Sequence, residues 1–99
     1  MSVFSTRLRE ARIAAGLSQE RLGILAGIEE ASASARMNQY ERGKHHPDPS
    51  MVERLAKVLN VPEAYFYCRD NDLAELVQAY HRMSTSKRLE IVAFTREHQ

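Results

Sequence analysis

Glycine and serine punctuate residues 16 to 43 so closely that only short helices fit between them. Gly16 is followed by Leu17-Ser18-Gln19-Glu20-Arg21-Leu22, Gly27 comes nine residues after Ser18, and Gly43 follows Met37-Asn38-Gln39-Tyr40-Glu41-Arg42. A glycine tolerates the positive φ at which many helices stop. A serine hydroxyl can accept a hydrogen bond from a free N–H in a helix's first turn. The pattern predicts one helix from Ser18 to Gly27, with Leu22, Leu25 and Ala26 inward. A further helix is predicted from about Ala33 to Glu41, with Met37 and Tyr40 inward. Ile28 to Ser32 form a polar, acidic connection between them.

The flanking segments read as helices too. Phe4, Leu8, Ala11 and Ala15 recur at helical spacing, so residues about 4–15 form a first helix with Arg7, Arg9, Glu10 and Arg12 on its other faces. The prolines of Lys44-His45-His46-Pro47-Asp48-Pro49 forbid a helix there. Ser50-Met51-Val52-Glu53 has the spacing of a capping box and opens a helix running to about Leu59, with Val52, Leu55, Ala56 and Leu59 inward. Pro62 suits the first turn of a short fifth helix that presents Tyr65 and Phe66, and with them Tyr67, to the core. Two more amphipathic segments follow: Leu73, Leu76, Val77, Tyr80 and Met83, then Leu89, Ile91, Val92, Ala93 and Phe94, separated by the capping run Ser84-Thr85-Ser86. No hairpin dipeptide and no sustained alternation argues for a strand. The fold class is all-α.

Ninety-nine residues hold one core. No apolar run approaches the roughly 18 residues of a membrane span, and the N-terminus lacks the apolar stretch of a secretory signal. Cys68 is the single cysteine, so no internal disulfide forms. That fits a reducing cytoplasm, the expected location. The net charge of +1 says little about partners, but a local surplus lies at Arg36, Arg42 and Lys44, with His45 and His46 adjoining. Phosphate binding depends on such clusters more than on the total. No nucleophile–base constellation or phosphate-cradling glycine loop can be assembled, which argues against an enzyme. Neither a metal nor another cofactor is expected, because His45, His46, His81, His98 and Cys68 lack ligand spacing.

Arg7-Leu8-Arg9 with Ala11-Arg12, then Gly16-Leu17-Ser18-Gln19, Leu22, Ala26-Gly27, and Tyr40-Glu41-Arg42-Gly43-Lys44 with Pro47 stand in a telling order. Over residues 4–67 the chain resembles the Cro/repressor-type, XRE-like helix-turn-helix family. The resemblance implies a five-helix, lambda-repressor-like domain over residues 1–67, with residues 68–99 as a helical extension. It implies that the second helix lies across the backbone of double-stranded DNA while the third enters the major groove. Two departures stand out. Gly23 occupies a position where the family usually carries alanine; it must be small because two helices touch there. The connection between Gly27 and Met37 is about four residues longer than usual, filled by Glu29-Glu30-Ala31-Ser32. Either it is a true loop or the third helix begins early.

By position in the family's pattern, Ser34, Ala35, Asn38 and Gln39 face base edges, with Arg36 beside them. Arginine suits guanine; asparagine and glutamine suit adenine. The alternative is an ordinary solvated helix face. The resemblance gives Gln19 a phosphate contact, and Arg42, Lys44 and His45 would line a second phosphate track. The C-terminal helices cannot form a core alone. Leu73, Leu76, Val77, Tyr80, Leu89, Val92 and Phe94 either form a homodimer interface or pack within the chain. The expected function is a sequence-specific, homodimeric transcriptional regulator, a repressor. The competing reading is an antitoxin or interaction module that binds a protein partner through residues 71–99.

Overall fold

Five of the six α-helices begin in the same way. Ser2, Ser18, Asp48, Asp70 and Ser84 each accept a hydrogen bond from the backbone N–H three residues on, at 2.8–3.3 Å. These caps open α1 (Val3–Ala14), α2 (Gln19–Leu25), α4 (Pro49–Leu59), α5 (Asn71–Arg82) and α6 (Thr85–Glu97). The exception is α3 (Glu30–Glu41), whose N-cap residue Glu29 makes no side-chain capping bond. A 3-10 turn at Glu63–Tyr67 joins α4 to α5. The computed structural model describes residues 2–99, and the described residues contain no strand. Met1, the first residue of the segment expected to form the N-terminal domain, lies outside them.

Two boundaries differ from expectation for identifiable reasons. The third helix starts at Glu30 rather than Ala33, so the long connection is mostly helix. Glu30 in the first turn complements the helix dipole. The fourth helix begins at Pro49, capped by Asp48, and not through a Ser50–Glu53 box. Proline at the first helical position lacks an N–H that would be unpaired anyway, and Ser50 Oγ accepts from Arg54 Nη1 instead. Gly16, Gly27 and Gly43 all take positive φ, as the helix ends predicted.

The core joins Leu8 of α1, Leu22 of α2, Met37 of α3, Leu55 of α4 and Phe66 of the 3-10 turn, each fully buried. Three residues expected inside lie outside: Leu25, Ala15 and Tyr67 are exposed, while Ile28 of the connection is buried. Two α1 arginines expected on outer faces are instead structural. Arg7 is buried; its Nε donates to the Cys68 carbonyl at 2.8 Å, and its Nη2 reaches the Arg69 carbonyl and Asn71 Oδ1. It thereby ties the start of α5 to α1. Arg12 turns the other way, toward α3.

The C-terminal helices differ in their attachment. Ala74 of α5 is buried and Val77 packs against the core. Arg82 donates to the carbonyls of Leu59 and Asn60 at the end of α4. Helix α6 has no fully buried residue, only the half-buried Arg88, Ile91 and Val92. Arg88 anchors only its first turns, bonding the carbonyls of Tyr80 and His81. The molecule is correspondingly long, 50 × 25 × 23 Å.

The corrected start of α4 can be tested by thermal unfolding. Asp48→Ala is expected to cost about 1 kcal/mol, the usual worth of an N-cap, whereas Ser50→Ala stays within about 0.5 kcal/mol, as for an ordinary surface site.

Candidate nucleic-acid interface

Helices α2 and α3 form the tightest pair in the molecule because their contact is made by small residues. A β-carbon placed on Gly23 would stand 2.9 Å from Ala33 Cβ and 3.1 Å from Met37 Cγ. Nothing larger than hydrogen fits there without displacing α3. Ala33, Met37, Tyr40 and Glu41 form the buried side of α3. All five residues expected at base edges, Ser34, Ala35, Arg36, Asn38 and Gln39, are exposed. By helical spacing, Ala31, Ala35, Asn38 and Arg42 share one outward stripe, with Gln39 beside it and Ser34 and Arg36 on its two flanks. The early start of α3 adds Ala31 to this surface. The sequence leaves the early start open as one of two alternatives without naming Ala31, because a helix without a capping side chain gives no start signal.

The orientation of α3 is fixed by a buried carboxylate. Glu41 is 2% exposed and receives Arg12 from α1 through two bonds, Nε to Oε2 at 2.6 Å and Nη2 to Oε1 at 3.1 Å. Arg12 Nη1 also bonds the Leu17 carbonyl in the turn before α2. Gln19, the first residue of α2, donates from Nε2 to Glu41 Oε1 at 3.2 Å and to Asn38 Oδ1 at 3.4 Å. Bidentate pairing of a guanidinium with a carboxylate constrains angle as well as distance. Three helices are therefore registered on one charge. The expected phosphate ligand Gln19 has both amide hydrogens directed at protein oxygens.

Beyond α3, the chain leaves through a left-handed residue. Gly43 has φ +74°, and the Lys44 N–H returns to the Gln39 carbonyl at 3.0 Å. This closure swings Lys44 and His45 out beside Arg42, all three exposed. The cationic run thus sits next to the outward stripe of α3, where a nucleic-acid backbone flanking an inserted helix would lie. His46 stays exposed but lays its ring against aromatic neighbours, 4.5 Å from that of Phe4.

A family model described as a helix-turn-helix domain matches residues 3–65. The chain belongs to the XRE-like helix-turn-helix family of DNA-binding regulators. Relatives within this family include an uncharacterized HTH-type transcriptional regulator of Sinorhizobium medicae, 32% identical over 62 residues. Another is the uncharacterized HTH-type transcriptional regulator RghRB of Bacillus subtilis, 40% identical over 63 residues. These matches take in 63% of this chain and 42% of each relative, so the chain spans less than half the length of the curated relatives it matches. Among solved structures, the crystal structure of the transcriptional regulator BswR superposes with a TM-score of 0.88 at 47% identity, over 98% of this chain and 94% of that one. The BswR match extends through the C-terminal helices, beyond the residues the family model reaches. The all-α helix-turn-helix fold expected from the sequence is thus shown.

The close α2–α3 contact yields a prediction of sign. Replacing glycine by alanine inside a helix ordinarily stabilises by roughly 0.5–1 kcal/mol. Here Gly23→Ala is expected to destabilise on balance, since overpacking costs about 1–3 kcal/mol. Adding Ala33→Gly should restore part of the loss, as measured by chemical denaturation of the single and double variants.

Proposed function

We propose that the protein binds a two-fold symmetric operator in double-stranded DNA as a homodimer and represses transcription. The observation that carries this reading is the outward face of α3. It is exposed along its length, rigidly keyed to α2 through Gly23 and Glu41, and flanked by cations. In this reading Ser34, Ala35, Arg36, Asn38 and Gln39 meet base edges. Arg42, Lys44 and His45 meet phosphate. No catalytic step and no cofactor enters it, and the protein acts in the cytoplasm. No helix among the described residues is long and apolar enough to cross a membrane.

The dimer is supported by what the C-terminal helices leave uncovered. Leu73, Leu76, Tyr80, Leu89 and Phe94 are between 36% and 66% exposed. Of the other two residues expected at the interface, Val77 packs partly into the protomer's own core and Val92 is half-buried. Two readers related by a dyad must stand about 34 Å apart to meet successive major grooves. A division of labour follows, with residues 1–67 reading DNA and residues 68–99 joining protomers. The exposed Leu89 and Phe94 also favour a second reading, in which residues 71–99 hold a different protein, as an antitoxin would.

Selection of bound sequences from random duplex DNA tests the first reading: a palindromic consensus supports it. Gln39→Ala is expected to cost about 1–3 kcal/mol and to relax preference at one base pair per half-site. Arg42→Ala should instead weaken all sequences alike and lower the salt dependence by about one unit of slope. The double change Leu89→Glu with Phe94→Glu should give monomers in sedimentation. If that variant remains dimeric, the interface lies elsewhere; if the unaltered chain sediments as a monomer, the partner-binding reading gains.

A further inference from the structure

The bonds around Gln19 determine more than the position of α3. A carboxylate held by an arginine offers only acceptors. Gln19 therefore has to turn its NH2 group, not its oxygen, toward Glu41 Oε1, 3.2 Å away. The same nitrogen lies 3.4 Å from Asn38 Oδ1. With the opposite amide orientation, Asn38 would set donor against donor. The buried charge thus fixes the polarity of Gln19, and Gln19 fixes that of Asn38. The Asn38 oxygen faces α2, and its two N–H donors are left for the exposed face of α3.

An asparagine that pairs with adenine in the major groove uses its oxygen and its NH2 together. Asn38 has its oxygen engaged toward the protein. Guanine presents two acceptors, N7 and O6, and no donor on that edge. We propose that Asn38, oriented by Gln19, selects a guanine in each half-site, and that Gln19 is a positioning residue for base choice and not a phosphate ligand. This rests on the reading that α3 enters the major groove. It departs from the adenine preference that asparagine by itself suggests.

The test is a binding profile over every single base-pair change in a selected operator. The profile of Asn38→Ala identifies the pair that Asn38 contacts. In the unaltered protein that pair should be G·C, with guanine preferred over adenine by about tenfold, the effect of roughly 1.4 kcal/mol. Replacing that guanine with 7-deazaguanine should weaken binding about threefold or more, while inosine, which keeps both acceptors, should leave it unchanged. In Gln19→Ala the amide is free to turn, so the guanine preference should collapse to within about threefold while preferences at other pairs persist. A merely structural Gln19 would lower affinity uniformly and leave the profile intact, which would overturn the proposal. An A·T pair at that position, indifference to 7-deazaguanine, or an Asn38→Ala profile identical to the original would overturn it equally. The modified-base measurement needs only the pair that Asn38→Ala identifies, so it decides the matter even if Gln19→Ala fails to fold. Absence of any duplex binding at low salt would instead remove the underlying reading of α3, a separable result.

Discussion

Glu41 is the ion on which the arrangement of the first three helices depends. A carboxylate buried to 2% exposure is tolerated only when its oxygens are occupied. Arg12 occupies both, and Gln19 shares one. The pair need not add net stability, because desolvating two charges offsets much of their attraction. Removing either partner is a different matter, since an uncompensated buried charge costs about 3–5 kcal/mol. The arrangement therefore favours one angle between α1 and α3 over neighbouring ones. Arg7, five residues before Arg12 on the same helix, serves the opposite end of the domain by gripping Cys68, Arg69 and Asn71. Helix α1 works as a spine with a cationic clamp at each end.

The second constraint is steric. Gly23 lets α3 approach α2 until backbone and methyl group nearly touch. A helix kept this close cannot roll without collision, so its outer residues have a defined bearing relative to α2. The extra turn at Glu30 to Ala33 belongs to this geometry, since Ala33 is the residue Gly23 meets. Glu29 and Glu30 accompany the longer helix and lie at its exposed start.

Much of this fold is legible in the sequence because its helix ends use local chemistry. Ser18 caps α2 and Ser84 caps α6 as their hydroxyls suggested, and Gly16, Gly27 and Gly43 stop helices through positive φ. Helix α3 starts without a cap, so the sequence leaves a loop and an early helix start both open, and the structure takes the early start. Asp48 competes in the sequence with Ser50 and Glu53, which make a plausible box two residues later, and the structure uses Asp48. The exposure of Ser34, Ala35, Arg36, Asn38 and Gln39 followed from helical period alone. The roles of Arg7 and Arg12 did not, because period distinguishes faces but not which charge finds a partner 29 or 61 residues away. The split of the C-terminal helices, with Ala74 and Val77 inward and Leu89 and Phe94 outward, depends likewise on tertiary contacts that spacing does not encode.

Helix α6 has one consequence that reaches beyond shape. None of its 13 residues is fully buried in its own protomer, although Arg88, Ile91 and Val92 are half-buried, and isolated helices of that length are marginal in water. Anything that covered its exposed face would add to its order by mass action. Were the cover a second copy of the chain, a sparse population would carry frayed tails open to proteases, and a dense one would shield them. Abundance would govern lifetime in the same stroke as assembly.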